Sequence, residues 1–234
     1  MGLAGKIRVE ALRRGRTDSL MALPIIVLGN GGHARVLLDT LRLLDRIVIG
    51  LTTSDLDAIG ANVSGFLVLG TDQLLANYSP DQVLLVNAVG SVQSMDKRKI
   101  LFDTCKMRGF AFAQVIHPSA IIARDTTLGE GVQIMAGAVI QPGTHIASDS
   151  IVNTCAAIDH DCAIGKHVHI APGCTLSGYV TVGDETHIGA GAVVIQGINV
   201  GKRCLVAAGA LINRDLTDGD RVAGVPARSF AKDA

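Results

Sequence analysis

The chain has 234 residues, 21 basic against 21 acidic side chains, and 3% aromatic residues without a tryptophan. This neutral, aromatic-poor composition lacks the basic stacking surface with which proteins bind nucleic acids, so we expect no nucleic-acid partner. No apolar run approaches the ~20 residues of a membrane-spanning helix, so we expect no membrane insertion. The length suits one large or two small globular domains.

The N-terminus and the cysteines bear on where the protein works. Residues 1–20 carry five basic side chains but lack the apolar segment of a signal peptide, and we interpret them as a basic N-terminal arm. The five cysteines have no paired spacing, which argues against disulfides and for a reducing compartment. We therefore predict a cytoplasmic protein.

Residues 21–113 alternate between short apolar runs and amphipathic segments. The apolar runs predict strands at 24–28, 47–51 and 83–87 and a further element at 66–69. Helical spacing predicts helices at 34–44, 72–77 and 95–108. This alternation predicts an α/β, Rossmann-like domain, in which helices cover a small parallel sheet.

A glycine-rich turn joins the first predicted strand to the first predicted helix. It places Gly29, Gly31 and Ala34 in the G-x-G-x-x-A spacing of a dinucleotide-binding turn. At this helix start, Gly32 allows close approach of a phosphate, and His33 could donate a hydrogen bond to the ligand. The acidic residue that NAD binding requires about 20 positions later is replaced by Thr52-Thr53-Ser54, with Asp55 slightly beyond. We therefore favour a nucleotide bound through its phosphates; a purely structural turn is the alternative.

A six-residue repeat governs residues 114–220. From Ile116 to Ile212 every sixth residue is Ile, Leu or Val, at 17 positions without an insertion. Neither a helix nor an ordinary strand has this period, whereas a β-solenoid with three flat faces and 18 residues per coil does. The fourth residue after each aliphatic is mostly small, and this position includes Cys162, Cys174 and Cys204, which we interpret as core filler. Residues 221–234 are left as a C-terminal arm.

The segment Asp159-His160-Asp161 places a histidine between two carboxylates, the closest grouping of potential acid–base residues in the sequence. The register places His160 two residues after an inward aliphatic, on an outward corner of the solenoid. A histidine whose ring N–H is held by a carboxylate can act as a general base, and Asp161 is our choice for that carboxylate. A solvated polar corner is the alternative.

A second set of histidines lies on one predicted face. His169 and His187 share a register position and should stack one coil apart. With His160, His167 and Cys162 they suggest a metal site, but His160 lies half a coil away, so only neighbouring chains could bring the groups together. We predict no bound metal.

Several segments together resemble a known family. The glycine turn, an Ile-His-Pro-Ser-Ala junction and the His-Asp coil resemble the sugar-nucleotide acyltransferases of the left-handed β-helix superfamily. The nearest group is the family of sialic acid O-acetyltransferases and bacterial amino-sugar N-acetyltransferases. The matching segments are 29–33, 116–120, 153–161, 167–173, 189–192 and 224–228.

The resemblance implies a left-handed parallel β-helix, a homotrimer and acetyl-CoA as co-substrate. It implies that His160 is the general base oriented by Asp161, and that His169 lies near the acetyl thioester. Asn153 would belong to the acceptor pocket. Coenzyme A would lie in a groove between two solenoids, and its expected contacts are Gly189, Ala190, Gly191 and Ala207.

Two further assignments complete the predicted site. The resemblance implies that Gly31, Gly32 and His33 face the diphosphate and ribose of the nucleotide, with Gly29 and Asp55 nearby. Many members carry two acids after the second strand to read the base, where this chain has residues 52–55 instead. The N–H of Gly178, one coil beyond His160, could hold the developing oxyanion.

The resemblance implies an enzyme of bacterial surface-glycan synthesis. It would move acetyl from acetyl-CoA to the amine of a UDP- or GDP-linked amino sugar, such as a 4-amino-4,6-dideoxy sugar. Three alternatives stay open: a sialic-acid-type sugar O-acetyltransferase, a metal-dependent hydratase similar to γ-carbonic anhydrases, and a non-catalytic scaffold that binds nucleotide sugars.

Overall fold

The N-terminal part of the chain forms a six-stranded sheet with a helix on each face. The computed structural model describes residues 23–90 and 95–230, so the predicted arm at 1–20 lies outside the described residues. The strands are β1 Ile25–Leu28, β2 Val48–Thr52, β3 Asn62–Val63, β4 Phe66–Gly70, β5 Leu84–Asn87 and β6 Ala111–Phe112. The helices are α1 Gly32–Leu43 and α2 Asp96–Met107, with 3-10 turns at Leu56–Ala58 and Asp72–Asn77. The strand order is β3-β4-β2-β1-β5-β6, and only β3 and β4 are antiparallel.

Alternation along β1 divides the core of this sheet into two layers. Ile25 and Val27 pack on the α1 side, and Ile26 and Leu28 pack on the α2 side, because successive strand residues point to opposite faces. The α1 layer also includes Val115 and Met135 of the solenoid. The solenoid therefore contributes two buried side chains to the α1 layer of the sheet, and this contact holds the glycine turn in a defined place relative to the coils.

The solenoid is a triangular parallel β-helix. Between Val115 and Ile212 it consists of 17 two-residue strands, and the second residue of each strand is one of the 17 repeated aliphatics. The strands, numbered β7 to β23, are Val115–Ile116, Ile121–Ile122, Thr127–Leu128, Gln133–Ile134, Val139–Ile140, His145–Ile146, Ile151–Val152, Ala157–Ile158, Ala163–Ile164, His169–Ile170, Thr175–Leu176, Thr181–Val182, His187–Ile188, Val193–Val194, Asn199–Val200, Leu205–Val206 and Leu211–Ile212. The predicted repeat is confirmed.

These strands stack into three sheets, one for each face of the prism. The first sheet contains β7, β10, β13, β16, β19 and β22; the second contains β8, β11, β14, β17, β20 and β23; the third contains β9, β12, β15, β18 and β21. Each strand pairs in parallel with the strand 18 residues away, as in Ile140 with Ile158. The inward aliphatics form one continuous buried column.

The corners between sheets depend on one backbone conformation. The third residue after most of the repeated aliphatics has a positive φ, the left-handed region that glycine adopts without strain. Glycine occupies many of these positions, but Asp149, Asp161, His167 and Tyr179 occupy others. The small fourth residue, such as Ala156 or Cys174, is fully buried behind the corner.

The chain end continues the first sheet. β24, Arg221–Ala223, pairs in parallel with β22, and β25, Arg228–Ser229, pairs with β24 in the antiparallel direction. Residues 221–229, assigned from the sequence to a C-terminal arm, are therefore largely paired. At the N-terminal end of the solenoid, the chain leaves the six-stranded sheet at Phe112 and enters the first solenoid strand at Val115.

Candidate active site

His160 and Asp161 form a hydrogen-bonded pair on the corner that follows β14. Nδ1 of His160 lies 2.9 Å from Oδ2 of Asp161, and the two side chains are 44% and 46% exposed. A carboxylate can only accept, so Nδ1 carries the proton and Nε2 keeps a lone pair in the neutral ring. Asp159 accepts instead from the backbone N–H of His160, at 2.8 Å. The partner chosen from the sequence is thus the one in contact, and the catalytic role stays a prediction.

Two glycines from adjacent coils enclose this pair. A Cβ added to Gly178, one coil beyond His160, would lie 2.6 Å from its Nε2. A Cβ added to Gly143, one coil before Asp161, would lie 2.4 Å from its Oδ1. Tyr179 contacts the imidazole edge-on, with ring centroids 5.1 Å apart. The absence of side chains at these two positions therefore allows the His–Asp pair to pack this closely against its neighbouring coils.

The backbone N–H of Gly178 is the predicted donor to the oxyanion that forms during acyl transfer. Among the described residues, no backbone carbonyl accepts the N–H of Gly178, although its carbonyl accepts from Gly197. Gly178 is buried beside the His160 ring, so an oxyanion would reach this N–H only from the side of Nε2. The oxyanion role predicted for Gly178 stays a prediction.

We expect Gly178→Ala to reduce turnover by about 10–10²-fold, because a methyl group would displace the imidazole and misplacement by ~1 Å can cost 10²-fold. Steady-state kinetics would measure kcat, and thermal unfolding would report the stability of the same variant. Thr181→Ala, on the exposed third sheet of the same coil, is the matched control and should keep full turnover. An unchanged kcat in Gly178→Ala would show that the ring tolerates the methyl group.

Asn153 and His169 form a second polar pair on the first sheet and the corner after it. Oδ1 of Asn153 accepts from the Thr154 N–H at 2.8 Å, so its Nδ2 faces Nε2 of His169, 3.1 Å away, and donates to it. His169 therefore carries its proton on Nδ1 when neutral. His187 stacks edge-on with His169 at a centroid distance of 4.9 Å, which confirms the expected stack. Burial lowers the pKa of His187, whose Nδ1 is buried without a hydrogen-bond partner.

These two polar pairs lie at opposite edges of the second sheet. The corner that contains Asn153 precedes β14, and the corner that contains His160 follows it. One chain therefore does not bring His169 and His160 together, as the half-coil spacing predicted. The described residues include no group of three His, Cys, Asp or Glu placed to hold a metal ion.

The residues predicted to bind coenzyme A lie on the same edge as Asn153. Gly189, Ala190 and Gly191 form the corner after β19, and Ala207 is stacked one coil further on. A Cβ on Gly189 would lie 2.6 Å from the backbone carbon of Ala207, so close stacking alone requires this glycine. Gly191 instead has a φ of +65° and open space around its Cα. The structure brings these residues together along one edge, and their contact with coenzyme A stays a prediction.

Within residues 23–90 and 95–230, no side chain caps the helix N-terminus at the glycine turn. Gly29 has a φ of +107°, which explains the glycine there, but Gly31 and Gly32 do not have positive φ. A Cβ at Gly31 or Gly32 would meet no atom within 4 Å, and both residues are exposed. Gly31 caps α1 without a side-chain hydrogen bond, and the first turn of α1 has no acidic residue. The protein's own packing does not require these two glycines, whereas an anion at the free N–H groups would.

The sequence predicts that His33 donates a hydrogen bond to the ligand, but in the structure one nitrogen of its ring contacts the solenoid. His33 is half-buried, and its Nε2 lies 2.7 Å from Oε1 of Gln133 in the solenoid. Burial, followed by the nearby Arg98 guanidinium, lowers the pKa of His33 to about 4. The ring is therefore neutral at pH 7, and its Nε2 is already engaged.

The turn after β2 is tied to the glycine turn. The Thr53 hydroxyl donates to Oδ1 of Asn30 at 3.1 Å and accepts from the N–H of Asp55 at 3.0 Å. The Asp55 carboxylate accepts from the Asp57 N–H at 3.1 Å and so caps the 3-10 turn. This local role accounts for Asp55 without a ligand, and its contact with a nucleotide stays a prediction.

Comparison with known proteins identifies the family. A family model described as the PglD N-terminal domain matches residues 24–103, and one described as the hexapeptide repeat of succinyl-transferase matches residues 179–214. The acetyltransferase domain of PglB from Neisseria gonorrhoeae FA1090 is 36% identical, with a TM-score of 0.82, and the match covers 88% of this chain and 99% of that domain. The chain belongs to the hexapeptide-repeat sugar acetyltransferases. This membership confirms the predicted left-handed β-helix.

Two relatives of this acetyltransferase family carry names that indicate a substrate. PerB from Caulobacter crescentus, determined in complex with CoA and GDP-perosamine, is 34% identical with a TM-score of 0.82, and the match covers 89% of this chain and 97% of that one. The GDP-perosamine N-acetyltransferase of Escherichia coli O157:H7 is 30% identical over 122 residues. That match covers 52% of this chain and 53% of the relative, so the chain spans about half the length of this curated relative.

In this family member, a buried polar network escaped the sequence analysis. Arg98 of α2 and Asp149 of the solenoid are both fully buried and lie 2.8 Å apart. Asp149 also contacts Nδ1 of His167 at 3.0 Å and accepts from Asn87 at 3.2 Å. Gln133 donates to the Asn87 carbonyl at 2.7 Å. These partners are 18 to 62 residues apart in the sequence, so their contacts could not be predicted from local patterns. Only the 18-residue step from Asp149 to His167 follows the repeat.

Two further observations concern the helices and the cysteines of the described chain. None of the helices in the described part of the chain is long and apolar enough to cross a bilayer. All five cysteines are free thiols, and burial raises the pKa of Cys105 and of Cys174 to about 11. The buried thiols are therefore protonated and serve as packing groups, as predicted for the corner cysteines.

Proposed function

We propose that this protein transfers the acetyl group of acetyl-CoA to the amine of a nucleotide-linked amino sugar. The observation that carries this proposal is the His160–Asp161 pair, because Asp161 holds the proton on Nδ1 and leaves Nε2 as a base beside the free N–H of Gly178. Nε2 takes a proton from the acceptor nitrogen as that nitrogen attacks the thioester carbonyl. The N–H of Gly178 stabilises the oxyanion, and collapse expels the coenzyme A thiolate.

The glycine turn binds the nucleotide part of the acceptor substrate. The free N–H groups at Gly31 and Gly32 bind the diphosphate, so the sugar extends toward the solenoid. The names of PerB and of the curated relative support an amine acceptor on a GDP-linked sugar such as perosamine. A UDP-linked 4-amino sugar and a hydroxyl acceptor are the competing substrates within the same chemistry.

The active site forms between subunits of a homotrimer. The second sheet presents an apolar outer strip at every strand but one: Ile121, Val139, Ala157, Val193 and Leu211, with Thr175 as the exception. Ile121 is 66% exposed in the single chain. Exposed apolar surface is unfavourable in water, and packing against a second copy of the chain would bury it. This strip lies between the corner of Asn153 and the corner of His160, so a neighbour packed there brings one subunit's base to another's acceptor edge. The free cysteines are consistent with a reducing cytoplasm as the place of this reaction.

The proposal is tested by incubating the purified protein with acetyl-CoA and GDP- or UDP-linked 4-amino-4,6-dideoxy sugars while following thiol release. Mass spectrometry of the product would distinguish an amide from an ester. We expect acetyl-CoA-dependent release with one amino sugar and none with the matching 4-hydroxy sugar. Absence of turnover with retained nucleotide-sugar binding would favour a scaffold, and stoichiometric zinc by elemental analysis would favour the hydratase.

Gly32→Asp should weaken nucleotide binding by about 10²-fold while leaving the protein as stable as before. The new carboxylate favours the positive end of α1 but occupies and repels the predicted diphosphate site. Calorimetry with GDP and UDP would measure the affinity, and thermal unfolding would measure the stability. Asp39→Asn, on an exposed turn further along α1, is the control and should bind normally. Equal affinities in both variants would place the diphosphate elsewhere.

A further inference from the structure

Hydrogen-bond direction fixes the chemistry of His33 through Gln133. The amide of Gln133 has one orientation, because its Nε2 donates to the Asn87 carbonyl at 2.7 Å and the reverse would bring two acceptors together. Its Oε1 therefore accepts, and the group 2.7 Å away, Nε2 of His33, must carry the proton. Gln133 is itself 1% exposed, and the Arg98 guanidinium donates to the same Asn87 carbonyl at 2.8 Å. The amide cannot flip without breaking this buried arrangement.

The other nitrogen of His33 is consequently a hydrogen-bond acceptor. The ring is neutral, as its lowered pKa requires, so Nδ1 carries a lone pair. No described residue donates to Nδ1, and this atom is not among those sealed from solvent without a partner. His33 is the second residue of α1, directly after the open positions of Gly31 and Gly32. A phosphate oxygen would meet repulsion at Nδ1, whereas a hydroxyl group would donate to it.

We propose that Gln133 is a positioning residue that holds His33 as a hydrogen-bond acceptor for a ribose hydroxyl of the nucleotide. This inference rests on the proposed nucleotide-binding function and assigns different parts of the nucleotide to different groups. The N–H groups of the glycine turn meet the anionic diphosphate, and the imidazole meets a hydroxyl. The solenoid thus sets, through one amide, the hydrogen-bonding character of a group in the N-terminal domain.

The tautomer can be measured on the full-length wild-type protein without a ligand. Long-range ¹H–¹⁵N spectra distinguish the two neutral forms of a histidine ring from each other and from the imidazolium. We expect His33 to be neutral with the proton on Nε2 at pH 7, and to lose this single form in Gln133→Met. Gln141→Met, at an exposed corner, is the matched control and should leave the His33 signals unchanged. A charged ring, or a proton on Nδ1, in the wild-type protein would overturn the proposal.

The hydroxyl contact is tested by calorimetry with GDP and UDP and with their 2′-deoxy and 3′-deoxy forms. We expect one deoxy form to bind the wild-type protein about 10-fold more weakly, a loss of ~1.4 kcal/mol, and this difference to vanish in Gln133→Met. Equal affinities for all forms in the wild-type protein would overturn the inference while leaving the proposed function intact. Failure of both GDP and UDP to bind would instead overturn nucleotide recognition itself.

Discussion

Replacing His160 by alanine should reduce turnover by about 10²–10⁴-fold, the usual contribution of a positioned general base. In the proposed reaction the thioester is already activated and the acceptor nitrogen still reaches it, so a residual rate should remain. The side chain is 44% exposed on a corner and contributes little to the core, so the unfolding temperature should stay near that of the wild-type protein. Thiol release under saturating substrates would measure the effect on kcat.

The matched control for this variant is His145→Ala. His145 is an exposed histidine on the third sheet, and it contacts Thr127 rather than a carboxylate. The His145→Ala variant should keep normal turnover.

Asp161→Asn preserves the shape of the corner but offers an amide that can turn its NH₂ toward Nδ1. This variant should reduce turnover less than the loss of the ring. Wild-type kcat in His160→Ala would remove the general-base assignment.

Arg98→Met should lower the free energy of unfolding by about 3–5 kcal/mol, because it leaves Asp149 buried without its cationic partner. Arg98 and Asp149 are both fully buried and join α2 to the solenoid, so the loss falls on the interface between the two domains. Arg98 also donates to the Asn87 and Val89 carbonyls at 2.8 and 3.0 Å, and these acceptors would lose a bond. Urea unfolding followed by circular dichroism would measure the change.

Two comparisons separate charge burial from general damage to α2. The double variant Arg98→Met with Asp149→Asn should recover a large part of the loss, since no uncompensated charge remains and asparagine tolerates the left-handed φ of 58° at this corner. Lys99→Met breaks the half-exposed pair with Asp103 on the same helix and should cost at most ~0.5 kcal/mol. Equal losses in Arg98→Met and Lys99→Met would show that the buried pair is not special.

The candidate site was predictable where its geometry follows the repeat. His160 and Asp161 are neighbours on one corner, and Gly178 stands one 18-residue coil beyond His160, so their approach could be inferred from spacing. The stack of His169 on His187 follows the same rule. The separation of His169 from His160 could also be inferred, because nine residues are half a coil and place the two side chains at different positions around it. The catalytic and ligand contacts of these residues stay predictions.

His33 illustrates what spacing could not show. Its position at the start of α1 suggests a donor to the ligand, but Gln133, 100 residues later, occupies its Nε2. The run Lys97-Arg98-Lys99 likewise resembles a solvated helix face, yet Arg98 is fully buried. A sequence records the type and order of polar groups, and burial depends on which distant element packs over them.

The amino-acid sequence by itself determined the triangular β-helix and the α/β sheet before it, because both depend on local periods of apolar residues. Each inward aliphatic contributes to the core through contacts one coil away, so a strict six-residue period favours three flat faces with 18 residues per coil. Only the tertiary structure decided how the two domains meet, and hence the buried Arg98–Asp149 pair and the proton position on His33. Those features depend on contacts between elements far apart in the chain, for which no local pattern exists.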